Sequence, residues 1–328
     1  MRIALDAMGT DSAPHSEIEG AIAFLRDSGL ELEIILVGDE GLVSDELAKR
    51  SDLPGKRLSV VHAPERISPG ESPAQAARRK ANSSTVVGVK LQKEGAADAF
   101  VSAGSTGAVM AASLLFLRPL HGVDRPAIGT VLPTSGEPTL LLDAGANVDC
   151  RPQHLLQFAQ LGRIYAQDLL GVENPRVGLL NIGEEPEKGD ELTVEAHRLL
   201  GAANLNFVGN VEGHDIIAGK CDVLVCDGFT GNVILKFYES VAGFIMGLFR
   251  RELKAQHVES LDLHGILRSL DYSEYGGAPL LGVNGVTIIT HGAATPKAVS
   301  GALAMAAQAV RSSMVSHMTA ALAKNHES

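Results

Sequence analysis

Phe100-Val-Ser102-Ala-Gly104-Ser105-Thr106-Gly107 joins an apolar run to a stretch of small residues that includes Ala108, Ala111 and Ala112. The run reads as a strand ending at Ser102, and the small residues as a helix that follows Ser105. Glycines at such a junction let the backbone approach a ligand closely. The first amide N–H groups of a helix have no partner within it and lie at the positive end of its dipole, so an anion is favoured there. Ser102, Gly104, Ser105, Thr106 and Gly107 therefore form a candidate anion cradle of phosphate size, preferred over a simple N-cap loop. It is not a Walker loop, because no Gly-Lys-Ser/Thr closes it. Nor is it a dinucleotide fingerprint, because the third glycine is missing at the required spacing.

The same strand-to-turn pattern recurs along the chain. Ile3-Ala-Leu-Asp6 leads into Gly9, Leu140-Leu-Leu-Asp143 into Gly145 and Asn147, Leu179-Leu-Asn181 into Gly183, and Val223-Leu-Val-Cys-Asp227 into Gly228 and Asn232. Each alone is an ordinary Asx-type turn. Four of them, with a short polar residue and glycine just past an apolar run, predict one polar rim at the carboxyl ends of parallel strands, where α/β sheets bind ligands.

Apolar runs are expected as strands at 3–5, 33–37, 58–61, 99–101, 127–131, 139–142, 177–180, 206–208, 223–225 and 286–289. Helical stretches follow Pro14, Gly41, Ser72, Ser105, Arg151, Gly189, Gly231 and Thr295. Such alternation predicts an α/β fold, a mostly parallel sheet with helices on both faces. The 328 residues are read as a single elaborated unit. Ser72-Pro-Ala-Gln75 has the form of a capping box with proline at the first helical position.

Composition narrows the function classes. Hydrophobic residues make up 45% of the chain, enough for a sizeable core, and with no Trp and few aromatics that core is aliphatic. The net charge of -11 disfavours nucleic acid, which needs a basic footprint. Cys150, Cys221 and Cys226 are too few and too scattered for a disulfide framework or a zinc site. No signal-peptide pattern or long apolar span is read, so a cytoplasmic protein is expected.

The stretch 231–275 has few strand signals and reads as a helical hairpin, about 232–272, inserted into the α/β unit. Val241, Phe244, Ile245, Leu248 and Phe249 make an apolar stripe, read as a subunit or core packing face in preference to a lipid-facing tip. Leu261, Leu263, Ile266, Leu267 and Leu270 belong to the second arm. Lys188 lies among Glu184, Glu185, Glu187, Asp190 and Glu191, where it either neutralises its neighbours or reaches an anion. His291 ends the last apolar run, and a structural role and a substrate contact weigh equally.

Asp6-Ala-Met-Gly9-Thr-Asp11, Ser102–Ala108, Leu142–Asn147, Asn181-Ile-Gly-Glu-Glu185 with Lys188-Gly189, Asn210-Val-Glu-Gly213, Asp227-Gly-Phe-Thr-Gly-Asn232, Tyr275-Gly-Gly-Ala-Pro279 and His291-Gly292 occur in this order. Together, over residues 1 to about 310, they resemble the phosphate acyltransferases of bacterial phospholipid synthesis that use acyl carrier protein. One departure is Ser105, where that family more commonly has Asn; a second is a polar tip of the hairpin, Gln256–His264. The resemblance implies the isocitrate dehydrogenase/phosphotransacetylase fold, with two lobes around a cleft, and a homodimer. It implies attack of inorganic phosphate on a long-chain acyl thioester, giving an acyl phosphate for a glycerol-3-phosphate acyltransferase in the membrane, with peripheral membrane contact left open. No cofactor and no metal are expected.

On that basis Lys188, Asp227, Asn232 and Asn181 are the candidate catalytic residues. Ser102, Gly104, Ser105, Thr106, Gly107, Asn147 and His291 are the candidate substrate contacts. Arg78, Arg79 and Lys80, or Arg250, Arg251 and Lys254, are candidate docks for the acidic carrier protein. The nearest rival is a phosphate acetyl- or butyryltransferase using acyl-coenzyme A. An oxidoreductase would need metal and nicotinamide sites. A covalent path through Cys226 is disfavoured because strand alternation sets it opposite Asp227. A non-catalytic scaffold would not need four polar strand ends.

Overall fold

The computed structural model describes residues 1–51, 55–255 and 276–326. The elements run in the order β1 (Arg2–Asp6), α1 (His15–Asp27), β2 (Glu33–Gly38), α2 (Glu40–Ala48), β3 (Leu58–His62), α3 (Pro73–Arg79), α4 (Ser84–Lys93), β4 (Ala99–Ser102) and α5 (Thr106–Phe116). Then come β5 (Ala127–Leu132), β6 (Thr139–Leu142), α6 (Pro152–Leu169), β7 (Arg176–Leu180), α7 (Glu191–Ala202), β8 (Asn206–Val211), α8 (Asp215–Ala218) and β9 (Val223–Val225). The chain closes with α9 (Gly228–Ala255), β10 (Ala278–Leu281), β11 (Val286–Ile289), α10 (Pro296–Arg311) and α11 (Met314–His326).

The chain divides into two compact units: Met1–Ile128 with Ile164–Val172 and Tyr275–Ser328, and Gly129–Arg163 with Glu173–Glu274. In the first the strand order is β3-β2-β1-β4-β11-β10, parallel as far as β11, with β10 antiparallel to β11 and to Ala127–Ile128 of β5. In the second, Gly129–Leu132 of β5 pair antiparallel with β6, and β9, β7 and β8 follow in parallel. The mostly parallel sheet and its covering helices are the α/β architecture expected from the apolar runs. Strands β4, β5, β6 and β9 are buried along their whole length, which is why they read as unbroken apolar runs rather than alternating ones.

Small residues allow helices to lie close. A Cβ on Gly20 of α1 would stand 2.6 Å from Val299 Cβ of α10, and one on Gly88 of α4 would overlap the Phe100 ring of β4. In the second unit, Gly162 of α6 faces Val223 and Leu142 in the same way. Leu132, Leu141, Val211, Leu224 and Cys226 form part of its core, against which Ile234, Leu235 and Tyr238 of α9 pack.

Three local expectations change. Strand β10 was absent from the sequence reading because Pro279 weakens a strand signal; the proline sits opposite Ile288 in an antiparallel pair. The helix expected after Ser72 is two helices, α3 and α4. Ser72 does occupy the N-cap, with Pro73 next to it, but its side chain makes no capping bond; it is Ser83 Oγ that caps α4, accepting from Val86 N at 3.4 Å. The chain also ends in a helix, α11, that the pattern did not mark.

Helix α9 covers the stretch expected as the first arm of a hairpin. The second arm, with Leu261 to Leu270, and the tip Gln256–His264 lie outside the described residues, as do the side chains of Arg250 and Lys254. Core packing of the Val241–Phe249 stripe is overturned: Val241 and Phe244 are exposed. Gly228–Phe249 has a mean hydropathy of 1.3, and apart from Gly228, Gly231 and Ala242 its residues are exposed or half-buried. By length and composition it suffices to cross a membrane, but Lys236 and Glu239 pair at 2.9 Å near its middle.

Candidate active site

In the first unit the site begins at the end of β1. The Asp6 carboxylate is buried, and it accepts hydrogen bonds from Ser102 Oγ at 2.7 Å, Thr85 Oγ1 at 3.0 Å and Met8 N at 3.1 Å. Ser102 Oγ in turn accepts from Gly104 N at 3.0 Å. The Ser102 hydroxyl is thus committed to the loop itself and lies beneath the cradle as its support. Gly9 presses on the same loop: a Cβ there would come within 2.8 Å of both Ala103 N and Gly104 N. No side chain at that point could be accommodated without moving the backbone.

Above this support, Ser105 takes the N-cap position of α5 without a side-chain capping bond. The first-turn amides of α5 therefore meet no capping side chain, the condition for holding an anion. Ser105 and Gly107 are half-buried and Thr106 is exposed. Gly107 is required by α3, since a Cβ there would stand 2.8 Å from Pro73 Cγ. His291 is exposed beyond β11; its neighbour Thr290 donates to the Ser102 carbonyl at 2.9 Å, and its own Nδ1 accepts from Ala293 N at 3.1 Å.

The β1–α1 loop is held from two sides. Thr10 donates to the buried Glu17 carboxyl through its amide at 2.7 Å and its hydroxyl at 2.9 Å, and Arg66 donates to the Gly9 and Thr10 carbonyls at 3.2 and 3.0 Å. Burial raises the Glu17 carboxyl to about 7, against the opposing pull of the Thr10 bonds and with a smaller push from Asp6.

In the second unit, Asp143 at the end of β6 organises a turn. Its carboxylate accepts from Ala146 N at 3.1 Å, Asn147 N at 2.7 Å and Asn147 Nδ2 at 2.9 Å, and the Asn147 carbonyl accepts from Gly228 N at 2.7 Å. Helix α9 starts against this turn. A Cβ on Gly228 would lie 2.6 Å from the Asn147 carbonyl oxygen, and one on Gly231 would overlap the Asp143 carbonyl. Asp227 caps α9, accepting from Thr230 N at 2.9 Å and Thr230 Oγ1 at 2.6 Å. Gly145, at φ +122°, faces Asn232, whose Oδ1 would be 3.5 Å from a Cβ at that glycine. Asn147, Asp227 and Asn232 are thus gathered around Asp143.

Asn181 and Lys188 share the β7–α7 loop of the same unit. Asn181 Nδ2 donates to the Lys188 carbonyl at 2.9 Å, and its Oδ1 accepts from Ile182 N at 2.8 Å, so this side chain shapes the loop. Lys188 is exposed and, with Ile182, Gly183, Glu184, Glu185 and Glu212, lines a pocket of about 560 Å³. Its sequence neighbour Glu184 is neutralised from elsewhere: Lys220 reaches Glu184 at 2.5 Å and Asp215 at 3.1 Å. Among the described residues no carboxylate pairs with the Lys188 ammonium. Cys226 is buried, and burial, helped by Asp227 and Asp143, pushes its thiol well above the ordinary range, so a thiolate nucleophile is not available there.

Asp6, Thr85 and Asp143 were not among the residues expected to act, and each holds part of the site in place. Asp6 and Asp143 carry a readable signal, a carboxylate just past a strand. Thr85 sits in the first turn of α4 and carries none.

The model of a family described as fatty acid synthesis protein matches residues 1–317. The phosphate acyltransferase of Desulforamulus reducens is 51% identical over 327 residues, covering 96% of this chain and 95% of that one. The chain belongs to the phosphate acyltransferase family. The Heliobacterium modesticaldum phosphate acyltransferase is likewise 51% identical, over 322 residues, and covers 96% of both chains. Among solved structures, a phosphotransacetylase from Streptococcus pyogenes has the same fold, with a TM-score of 0.63 at 18% identity over 95% of this chain and 94% of that one. As a phosphate acyltransferase, the protein is an enzyme of acyl transfer to phosphate.

Proposed function

We propose that the enzyme transfers a long-chain fatty acyl group from acyl carrier protein to inorganic phosphate. The observation that carries this reading is the start of α5, where backbone amides meet no capping side chain and Asp6 and Ser102 brace the loop from below. Phosphate is already an anionic nucleophile at neutral pH, and a thiolate is a tolerable leaving group, so neither a strong base nor a strong acid is required. The protein must position the reactants and stabilise the thioester oxyanion. In our reading Ser105, Thr106 and the amide of Gly107 hold phosphate, with Ser102 and the Gly104 amide it accepts from supporting them. Lys188 offsets phosphate or oxyanion charge, and Asn147, Asn181, Asp227 and Asn232 order the reacting groups.

Carrier protein as donor is supported by α3. Arg78 and Arg79 are exposed there, on the helix that packs against Gly107, and form a local basic dock on an acidic chain. Lys80 contributes less, because its ammonium is tied to Glu71 at 2.6 Å and to the Arg66 carbonyl at 2.8 Å. We place the enzyme in the cytoplasm as a homodimer in peripheral contact with the membrane, where its acyl phosphate passes to a glycerol-3-phosphate acyltransferase. Two buried thiols and one half-buried one, none of them in a disulfide, accord with a reducing compartment.

The test is release of carrier thiol from palmitoyl-carrier protein with and without phosphate. Phosphate-dependent release that is faster than from acetyl-coenzyme A is expected. Release without phosphate, or none, overturns the acyltransferase mechanism, and preference for acetyl-coenzyme A overturns the choice of donor.

A further inference from the structure

Asn210 opens the motif Asn210-Val-Glu-Gly213 at the end of β8, and only 2% of it is exposed. Its Nδ2 donates to the Glu185 carbonyl at 2.8 Å, 25 residues back in the β7–α7 loop. The same carbonyl accepts from Lys188 N at 3.1 Å, closing a β-turn with Pro186 in its second position. On the other side, Asn181 Nδ2 donates to the Lys188 carbonyl at 2.9 Å, and Asn181 N donates to the Val211 carbonyl at 2.9 Å. The Lys188 backbone is thus held at its carbonyl by Asn181 and at its amide by an oxygen that Asn210 holds in place. The stem of Lys188 lies across Gly183, where a Cβ would stand 2.9 Å from Lys188 Cγ.

Strand β8 is shaped to deliver the Asn210 side chain. Val177 pairs with Phe207 and Leu179 with Asn210, so β8 takes three steps (207 to 210) where β7 takes two (177 to 179). Gly209, directly before Asn210, has φ +88°, a conformation that glycine adopts readily and other residues do not. A bulge of this kind interrupts the alternation of faces and re-aims the side chain that follows. Asn210 Oδ1 is buried and meets no donor among the described residues. A buried acceptor left unmatched is costly, so packing alone would be better served by an apolar side chain of similar size. What the amide supplies is its donor, and that donor goes to the turn before Lys188.

We infer that Asn210 is a positioning residue for the reaction: by fixing the Glu185–Lys188 turn it sets where the Lys188 ammonium meets the reacting anion. The inference rests on the role proposed for Lys188 and adds the group that aims it.

The experiment is a double-mutant cycle in the full-length enzyme, with Asn210→Leu, Lys188→Ala and the two combined. Turnover is read as phosphate-dependent release of thiol from palmitoyl-carrier protein. Leucine keeps the volume and removes the donor and the unmatched acceptor together. Its Tm is therefore expected to stay near wild type while kcat falls about fivefold or more. In the Lys188→Ala background the same change is expected to lower kcat less than about twofold. Equal fold losses in both backgrounds overturn the inference, because a general structural defect adds to the lysine change instead of vanishing behind it. Full turnover of Asn210→Leu beside an impaired Lys188→Ala also overturns it, and leaves Lys188 in the mechanism. Near-normal turnover of Lys188→Ala, or wild-type enzyme that releases no thiol in response to phosphate, removes the reading beneath the inference and the inference with it. Should the leucine variant fold poorly, Asn210→Ser, whose hydroxyl stops short of the Glu185 carbonyl, enters the same cycle with the same outcomes deciding.

Discussion

Ser102 gives its hydroxyl hydrogen to Asp6 across 2.7 Å, so the ends of β4 and β1 are joined by a buried side-chain bond. The same oxygen receives the Gly104 amide. One hydroxyl therefore sets both the floor of the loop and the direction of its first glycine, and the amides of α5 are presented by a braced turn rather than a loose one.

Removing that hydroxyl leaves a buried carboxylate short of one donor and a loop amide short of its acceptor. Ser102→Ala is expected to lower stability by about 1–3 kcal/mol and to raise KM for phosphate. Equilibrium urea unfolding and phosphate-dependent initial rates read the two effects. An unchanged unfolding midpoint would remove the bond from the account of the loop.

Glu17 makes stability depend on pH. Its carboxyl titrates near 7 when folded, against an ordinary 4.5. Between those values the native state holds a proton that the unfolded chain has lost. Stability from this group is therefore present below the lower value and is lost as pH rises through the upper one. Glu17→Gln abolishes the titration while keeping the shape. Relative to wild type, the variant should gain roughly 3 kcal/mol between about pH 4 and about pH 8. Chemical unfolding at both pH values checks this, and a constant difference would refute the assignment.

Gly231 has no room for a methyl group, because its position is bounded by the Asp143 backbone carbonyl. Backbone yields less readily than a flexible side-chain tip. Gly231→Ala is expected to cost about 1–3 kcal/mol and to displace the Asp143–Asn147 turn, so that a fall in Tm comes with a fall in kcat. A variant that melts and turns over like wild type would show that α9 does not need this close approach.

Lys188 is exposed, lines the polar pocket and is left without a carboxylate partner among the described residues. Lys188→Ala should therefore leave stability nearly unchanged while cutting turnover roughly tenfold to a thousandfold. Steady-state kinetics and thermal melts, taken together, decide the matter; near-normal turnover takes Lys188 out of the mechanism.

Most of the strands and longer helices, and the family, were legible in the chain itself. Strands buried on both faces appear as short apolar runs, and the turns after them display glycine and short polar residues, both being local consequences of backbone chemistry. Motifs such as Asp227-Gly-Phe-Thr-Gly-Asn232 are local in the same sense, so their sequence order sufficed for the resemblance. Where a local signal conflicted with the fold, as with Pro279 in β10, the element was not legible; at Ser72 the N-cap and its following proline were legible, and only the side-chain capping bond is missing.

Only the tertiary structure decided which polar groups work for the loops and which face outward. Asp6 meets Thr85 and Ser102 across 79 and 96 residues of chain. Lys220, and not the nearby Lys188, neutralises Glu184 across 36 residues. Likewise, only its exposure within the chain decided that much of the apolar face of α9 lies outside the core. Periodicity tells which side chains share a face of an element, because that is set by the backbone repeat. It does not tell what that face meets, because that depends on the packing of elements far apart in the chain.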